Sequence, residues 1–293
     1  MKIGIIGAGS IGLLAGAYLG EHHEVHMFVK SEEQRSALEA EGITCGEFPC
    51  PVPVYAHLVT EMIEGYDLWL VTIKQHAMDG FLAQDLPADA PYVFLQNGMG
   101  HLEKLAQSGL RSCVGVVEHG ALAKGPNEVV HKGKGNIQIA VYRRMDHDHG
   151  QALSKELHTA HFPVFFKADY EPMLKSKLII NTVINPLTAL FSQPNHSILT
   201  NPSIHELAGL LCEEACSVLG LSFFDEWERV KTIAETTGEN HSSMLRDITE
   251  RRLTEVDSIS GYILDHGKKP LPYHHFVVHA IHALEYERGV RKR

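Results

Sequence analysis

The chain has 293 residues, 44% hydrophobic and 21% charged, with a formal net charge of -10 and a pI near 6.0. That length suits two domains or one large one with a real apolar core, and the acidic balance argues against nucleic acid or an anionic membrane as the main partner. No apolar run approaches the ~20 residues needed to span a bilayer, the first residues open straight into a strand pattern without a secretory signal, and five cysteines with no C-x-x-C spacing suit a reduced, cytoplasmic protein.

Residues 2–6 read as a short buried strand of a parallel sheet. Gly7, Ala8, Gly9, Ser10, Ile11 and Gly12 follow, then a helix of small residues to about Leu19 and a second strand at 24–28. This is G-x-G-x-x-G between a strand and a helix. Gly7 permits the tight turn, Gly9 lets backbone N–H groups approach a pyrophosphate, and Gly12 lets the helix pack close. In this context the motif implies dinucleotide binding rather than a merely structural turn. The second strand ends Met27-Phe28-Val29-Lys30-Ser31, with no acid to accept from a ribose 2′-hydroxyl. Lys30 and Ser31 suit a 2′-phosphate, so NADP(H) is expected over NAD(H). Glu32 and Glu33 fit the first turn of a helix capped by Ser31.

Residues 43–58, with three prolines and two cysteines, suggest irregular strands or a hairpin. The next buried strand is 67–74, with Lys74 at its C-terminal end, where ligands bind in an open α/β sheet; a solvated lysine is the alternative. A strand at 91–96 ends in Asn97-Gly98-Met99-Gly100, a turn able to approach a ligand, with Asn97 placed to touch both cofactor and substrate. A strand at 111–117 is followed by two antiparallel strands within 128–142 around Gly133 and Gly135, a polar loop at 143–150, a helix at 151–159 and an edge strand at 163–166. Strand-helix alternation stops near Tyr170. Helices are expected at 172–191, 203–218, 223–236, 243–265 and 272–288. These patterns imply a domain at 1–168 and a helical substrate and catalytic domain at 169–293.

Within the first of those helices, Lys177, Asn181 and Asn185 are spaced i, i+4, i+8 among Leu178, Ile179, Ile180, Val183 and Ile184. They form one polar stripe on a buried helix. Such a stripe needs partners, which a substrate with a carbonyl, hydroxyls and a carboxylate could supply; neighbouring loops are the alternative. Pro186 predicts a kink or a helix end. Farther on, Ser242 or Ser243 would cap the 243–265 helix and face a carboxylate, and Glu255 would lie three turns along it. Cys212 and Cys216 read as core-facing residues. His275, His279 and His282 read as a face of an amphipathic helix, so no metal is expected.

The glycine motif, Lys74, Gln96-Asn97-Gly98-Met99-Gly100, Lys177-x3-Asn181-x3-Asn185-Pro186-Leu187-Thr188-Ala189, and Ser243-Met244-Leu245 with Thr254-Glu255 occur in that order. Together they resemble the ketopantoate reductase (2-dehydropantoate 2-reductase) family over essentially the whole chain. The resemblance implies NADPH-dependent reduction of 2-dehydropantoate to (R)-pantoate in pantothenate and coenzyme A synthesis. It implies an α/β Rossmann N-terminal domain with a doubly wound, mainly parallel sheet, and an all-α C-terminal domain, the active site lying in the cleft between them. On the same resemblance, Lys177 matches a catalytic lysine that protonates the developing alkoxide and Glu255 an acid that assists it. Asn97, Asn181, Asn185 and Ser243 match substrate contacts, and Lys74 a cofactor contact. Family members often carry Arg where this chain has Lys30, which keeps the charge without the bidentate fork. The expected partner is a small 2-keto acid, with a homodimer compatible with the chain. A β-hydroxyacid dehydrogenase, a paralogous 2-keto acid reductase, and a non-catalytic NADP-binding sensor remain the competing readings.

Overall fold

The computed structural model describes residues 1–292, which divide into two compact units. Met1–Gln96 with His101–Met173 form the first; Asn97–Gly100 and the chain from Leu174 onward form the second.

In chain order the first unit contains β1 (Lys2–Ile6), α1 (Ser10–Leu19), β2 (Glu24–Val29), α2 (Glu32–Glu41), β3 (Thr44–Cys45), β4 (Tyr55–Leu58), β5 (Leu68–Val71), α3 (Met78–Leu82), β6 (Tyr92–Phe94) and α4 (Leu102–Ser108). It continues with β7 (Ser112–Val117), β8 (Gly120–Ala123), β9 (Glu128–Gly133), β10 (Ile137–Arg143), α5 (His147–Leu157) and β11 (Val164–Phe166). Eight strands make one sheet in the order β11-β10-β7-β6-β5-β1-β2-β4. All neighbours are parallel except β7 and β10. The apolar runs Ile3, Ile5, Ile6 and Leu68, Trp69, Leu70, Val71 are buried, as a sheet covered on both faces requires. From β1 the chain builds outward through β2 and β4, then returns to the other side of β1 as β5. This reversal of direction lies at the C-terminal ends of β1 and β5, where ligands bind in such sheets.

Three expectations for this unit need correction. The strands around Gly133 and Gly135 do not pair with each other, and each is antiparallel to a different neighbour, β9 to β8 and β10 to β7. β9 joins β3 and β8 in a separate small sheet, while β10 pairs with β7 and β11. The segment expected to be a polar loop at 143–150 contains the start of α5, because Asp146 caps it by accepting from His149 N at 2.8 Å. The strand expected at 67–74 stops at Val71, so Lys74 stands at the N-cap of a 3₁₀ turn over Gln75–Ala77.

The second unit is helical: α6 (Tyr170–Phe191), which starts in the first unit, then α7 (Ser197–Thr200), α8 (Pro202–Leu219), α9 (Phe223–Thr236), α10 (Ser243–Thr249), a π-helical turn at Asp257–Gly261, α11 (Tyr262–His266) and α12 (Pro272–Glu287). Helix α6 runs through Pro186 to Phe191, so no helix ends there. The Thr188 hydroxyl lies 2.8 Å from Ile184 O and 3.1 Å from Asn185 O, adding local hydrogen bonding beside the proline. The single helix expected at 243–265 is also corrected. It breaks after Thr249 and resumes at the π-helical turn, with Arg251 at φ 54° in the gap. Cys212 and Cys216 are buried in α8 as expected. Among the described residues, no helix is long and apolar enough to cross a membrane.

Candidate active site

The first unit builds its loop from Gly7 to Gly12, and the three glycines serve different ends. Gly7 has φ +97°, a conformation L side chains rarely adopt. A Cβ on Gly12 would stand 1.9 Å from Gly7 O, so only glycine lets α1 approach the turn. A Cβ on Gly9 would meet nothing within 4 Å. The protein's own packing does not demand glycine at position 9, and the open space beside it fits a pyrophosphate approaching the backbone.

The loop is held by groups that spacing alone did not reveal. Gly7 N donates to Phe28 O at 2.9 Å. The Thr72 hydroxyl, just past β5, donates to Gly7 O at 2.8 Å. Gln34 Nε2, on α2, lies 2.9 Å from Ala8 O and 2.8 Å from Pro126 O. Ser10 accepts from Ala123 N at 3.0 Å, tying the loop to β8. Ile11 lies in the first turn of α1. Lys30 is exposed at the tip of β2, and Ser31 caps α2 by accepting from Gln34 N at 3.2 Å. Lys74 follows Thr72 and Ile73, both of which border Gly7. Lys30, Lys74 and the glycine loop therefore all belong to the reversal end of one sheet.

The second unit contains the other candidates. Lys177 is half-buried, and Asn181 and Asn185 are buried on α6. Asn181 is 7% exposed and its Nδ2 has no hydrogen-bond partner in the protein. A buried amide donor left this way is costly, and a ligand oxygen would satisfy it. Asn97, contributed by the four-residue turn that groups with this unit, donates Nδ2–H to Glu255 Oε2 at 3.0 Å. Gly98, at φ +80°, presses on the π-helical turn; a Cβ there would stand 2.1 Å from Ser258 O. Ser242, not Ser243, is the cap of α10, accepting from Leu245 N at 3.1 Å. Ser243 is the exposed first helical residue. Glu255 lies in the stretch between α10 and the π-helical turn rather than three turns along a helix.

Two buried contacts order these elements around α6. The Thr182 hydroxyl is 2.8 Å from Ser260 Oγ, which sets the π-helical turn beside Asn181. The Thr188 hydroxyl is 2.8 Å from Ser242 Oγ, which sets the start of α10 one turn from Asn185. Thr182 is also 3.1 Å from His274 Nε2, whose Nδ1 is 2.8 Å from Glu214 Oε2. Since a carboxylate only accepts, that imidazole nitrogen donates. The same carboxylate accepts from the N–H groups of Tyr273 and His274 at the start of α12. Although burial raises the Glu214 pKa, these hydrogen bonds hold the carboxyl below its ordinary value. Apart from Ser242, expected as a helix cap, none of these threonine, serine and histidine anchors was legible from spacing. His282 of the histidine face bonds to Asp257 Oδ1 at 2.7 Å. Among the described residues, no three His, Cys, Asp or Glu side chains converge to hold a metal.

The chain matches the family model described as Ketopantoate reductase PanE/ApbA over residues 3–144, and that described as Ketopantoate reductase PanE/ApbA C terminal over residues 169–285. It is 38% identical to 2-dehydropantoate 2-reductase of Bacillus subtilis (strain 168) over 268 residues, covering 90% of both chains. It is 33% identical over 303 residues to the enzyme of the same name from Listeria innocua, covering 99% of both. A crystal structure of a probable 2-dehydropantoate 2-reductase from Bacillus subtilis superposes with a TM-score of 0.86 at 36% identity, covering 97% of this chain and all of that one. D-mandelate dehydrogenase with NADH and anilino(oxo)acetate shares the fold at a TM-score of 0.92 and 23% identity, covering 99% of this chain and 100% of that one.

Proposed function

The chain belongs to the ketopantoate reductase family, and from that membership we propose that it reduces 2-dehydropantoate to (R)-pantoate with NADPH, serving pantothenate and coenzyme A synthesis. The observation that carries the substrate side is the polar stripe of α6, where the buried Asn181 Nδ2 has no partner in the protein. A keto acid oxygen supplies the missing acceptor. The observation that carries the cofactor side is the open space beside Gly9, together with a β2 tip that offers Lys30 and no acid.

When bound, NADPH supplies the hydride that reaches the ketone carbon. Gly7 to Gly12 would hold the pyrophosphate, Lys30 the 2′-phosphate and Lys74 a further anionic group of the cofactor. Lys177 stabilises charge developing on the substrate's carbonyl oxygen and delivers a proton from Nζ to it. Asn181 donates from Nδ2 to a substrate oxygen. Asn185, one turn on, can accept from a hydroxyl and donate to another oxygen. Glu255, fastened by Asn97, assists at the same centre as an acceptor, and Asn97 also borders the cofactor. Ser243 offers its exposed hydroxyl to the substrate carboxylate. As a user of NADPH in biosynthesis, the enzyme is assigned to the cytoplasm.

The test is oxidation of NADPH with 2-dehydropantoate, run beside NADH and a panel of other 2-keto acids. Turnover confined to NADPH and 2-dehydropantoate supports the whole reading. Faster turnover of a different keto acid would keep the chemistry and overturn the substrate, and binding of NADPH with no turnover of any of them would overturn the enzyme.

A further inference from the structure

Glu255 sits in a stretch without regular secondary structure, so the geometry of its carboxylate must be set by contacts from elsewhere in the second unit. Asn97 supplies one, at the side chain. The backbone on both sides of Glu255 is held by α12 and the segment after it. The Glu285 carboxylate, on α12, is fully buried at 0% exposure. Its Oε1 accepts from Thr254 N at 2.7 Å, and its Oε2 accepts from Arg291 Nε at 2.6 Å. Arg291 Nη2 donates to Asp257 Oδ2 at 2.6 Å, and His282 Nε2 lies 2.7 Å from Asp257 Oδ1. The segment turns at Gly289, with φ +71°, and is tied down by Val290 N and Arg291 N donating to Glu285 O at 3.0 and 3.3 Å. Thr254 precedes Glu255 by one residue and Asp257 follows it by two, so one guanidinium links the anchors of both flanks. Within the stretch, the Thr254 hydroxyl accepts from Val256 N at 3.2 Å and the Ser258 hydroxyl donates to Glu255 O at 3.0 Å.

We propose that Arg291 is a positioning residue for Glu255, acting through the buried Glu285 carboxylate that holds Thr254 N and through Asp257. The physical reason is the state of Glu285. A fully buried carboxylate with a single backbone N–H partner is strongly unfavourable, and Arg291 is the cation that offsets its charge there. Without that cation, Glu285 either draws water into its site or swings towards it. Both weaken its hold on Thr254 N and let the Glu255 stretch shift. Burial raises the Asp257 pKa, but the bonds from Arg291 and His282 outweigh it and hold the carboxyl below its ordinary value, consistent with an anionic anchor on the far flank.

The inference rests on Glu255 being the assisting carboxylate of the reductase, so Glu255→Gln is measured in parallel. Turnover is expressed per NADPH-binding site, which removes unfolded protein from the comparison. Arg291→Ala is expected to lower kcat by between about tenfold and a hundredfold, the scale of a small misplacement in an active site, with NADPH affinity unchanged. The double variant Glu285→Gln with Arg291→Ala is expected to recover most of that loss. Glutamine keeps an oxygen for Thr254 N and needs no cation, a rescue that general destabilisation would not produce. Should Arg291→Ala fail to fold, Arg291→Lys carries the test. It keeps the charge near Glu285 but not the fork to Asp257, so kcat should fall partway. Wild-type kcat in the Arg291 variants beside an inactive Glu255→Gln overturns the positioning role alone, as does a double variant no better than Arg291→Ala. Wild-type turnover in Glu255→Gln overturns the role of Glu255 and this inference with it.

Discussion

Replacing Gly9 with alanine should separate cofactor binding from folding, because the loop's glycines are constrained by different neighbours. At Gly9 the backbone is extended, φ -80° and ψ -169°, and a Cβ meets nothing within 4 Å. Alanine is a poorer N-cap than glycine by a few tenths to about 1 kcal/mol, and it gains about 0.4–1 kcal/mol by restricting the unfolded chain. The two offset, so the stability of the ligand-free protein should stay within about 1 kcal/mol of wild type. Gly12→Ala is the contrasting variant. Its Cβ would stand 1.9 Å from Gly7 O, a backbone atom of a turn already at positive φ, and overpacking there should cost about 1–3 kcal/mol or more. Thermal unfolding with and without NADPH reads both effects. At a cofactor concentration about a hundred times Kd, wild type gains about 2.7 kcal/mol, or roughly 5–10 °C for a unit of this size. If the Gly9→Ala methyl weakens NADPH tenfold, the gain falls to about 1.4 kcal/mol and the shift is halved. An undiminished shift, or a ligand-free midpoint lowered as far as in Gly12→Ala, would refute the assignment of that space to the pyrophosphate.

Lys177→Ala should lower turnover by ~10²-fold or more, the usual general-acid contribution, with NADPH affinity little changed; equal losses in both would show that the lysine acts through the fold. Gly98→Ala should reduce thermal stability and kcat together, since its Cβ would collide with Ser258 O in the turn that follows Glu255, and a variant with unaltered kcat would sever that turn from catalysis. Acid should destabilise the first unit. Burial pushes the His101 pKa down to about 4 from 6.5, so below pH 6.5 the unfolded chain binds a proton that the folded chain refuses. The stabilising effect of a neutral His101 is therefore full above pH 6.5 and is lost as pH falls towards about 4, on the order of 3 kcal/mol in all. Because neither ring nitrogen of His101 has a hydrogen-bond partner, His101→Leu should flatten that dependence without loss of stability at pH 8; an unchanged acid profile would assign the sensitivity elsewhere.

The parts of the fold that were readable along the chain are those fixed by local chemistry. The glycine loop, the Ser31 cap of α2 and the apolar period of α6 and α8 each depend on residues a few positions apart, and each was expected where it occurs. The cap at Asp146 carried a signal too, an acid three residues before the donor His149, but the polar run hid it. Partnering of β9 and β10 was not readable, because each joins strands outside the 128–142 run: β9 pairs with β8 and with Thr44 and Cys45, and β10 pairs with β7 and β11. The run of α6 through Pro186 agrees with the helix expected at 172–191 and not with a helix end at the proline. Proline removes one helical donor, but a buried helix has enough tertiary contact to tolerate that loss, and Thr188 adds hydrogen bonds to the carbonyls around it.

The candidate site follows the same division. Lys177, Asn181 and Asn185 were visible as a stripe because a helix imposes the spacing that aligns them. Glu255 was visible by residue type but was placed on the wrong element, since the break between α10 and the π-helical turn is not marked by glycine or proline. A carboxylate on such a stretch owes its position to Asn97, Thr254, Ser258, Glu285 and Arg291, which come from four places in the chain. Helical site residues need only a helix that packs; a loop residue needs each of its neighbours tied. That is why the anchors were invisible to any periodicity, and why the fully buried Glu285, which would be unfavourable as an isolated anion, makes sense as the support of a residue beside it.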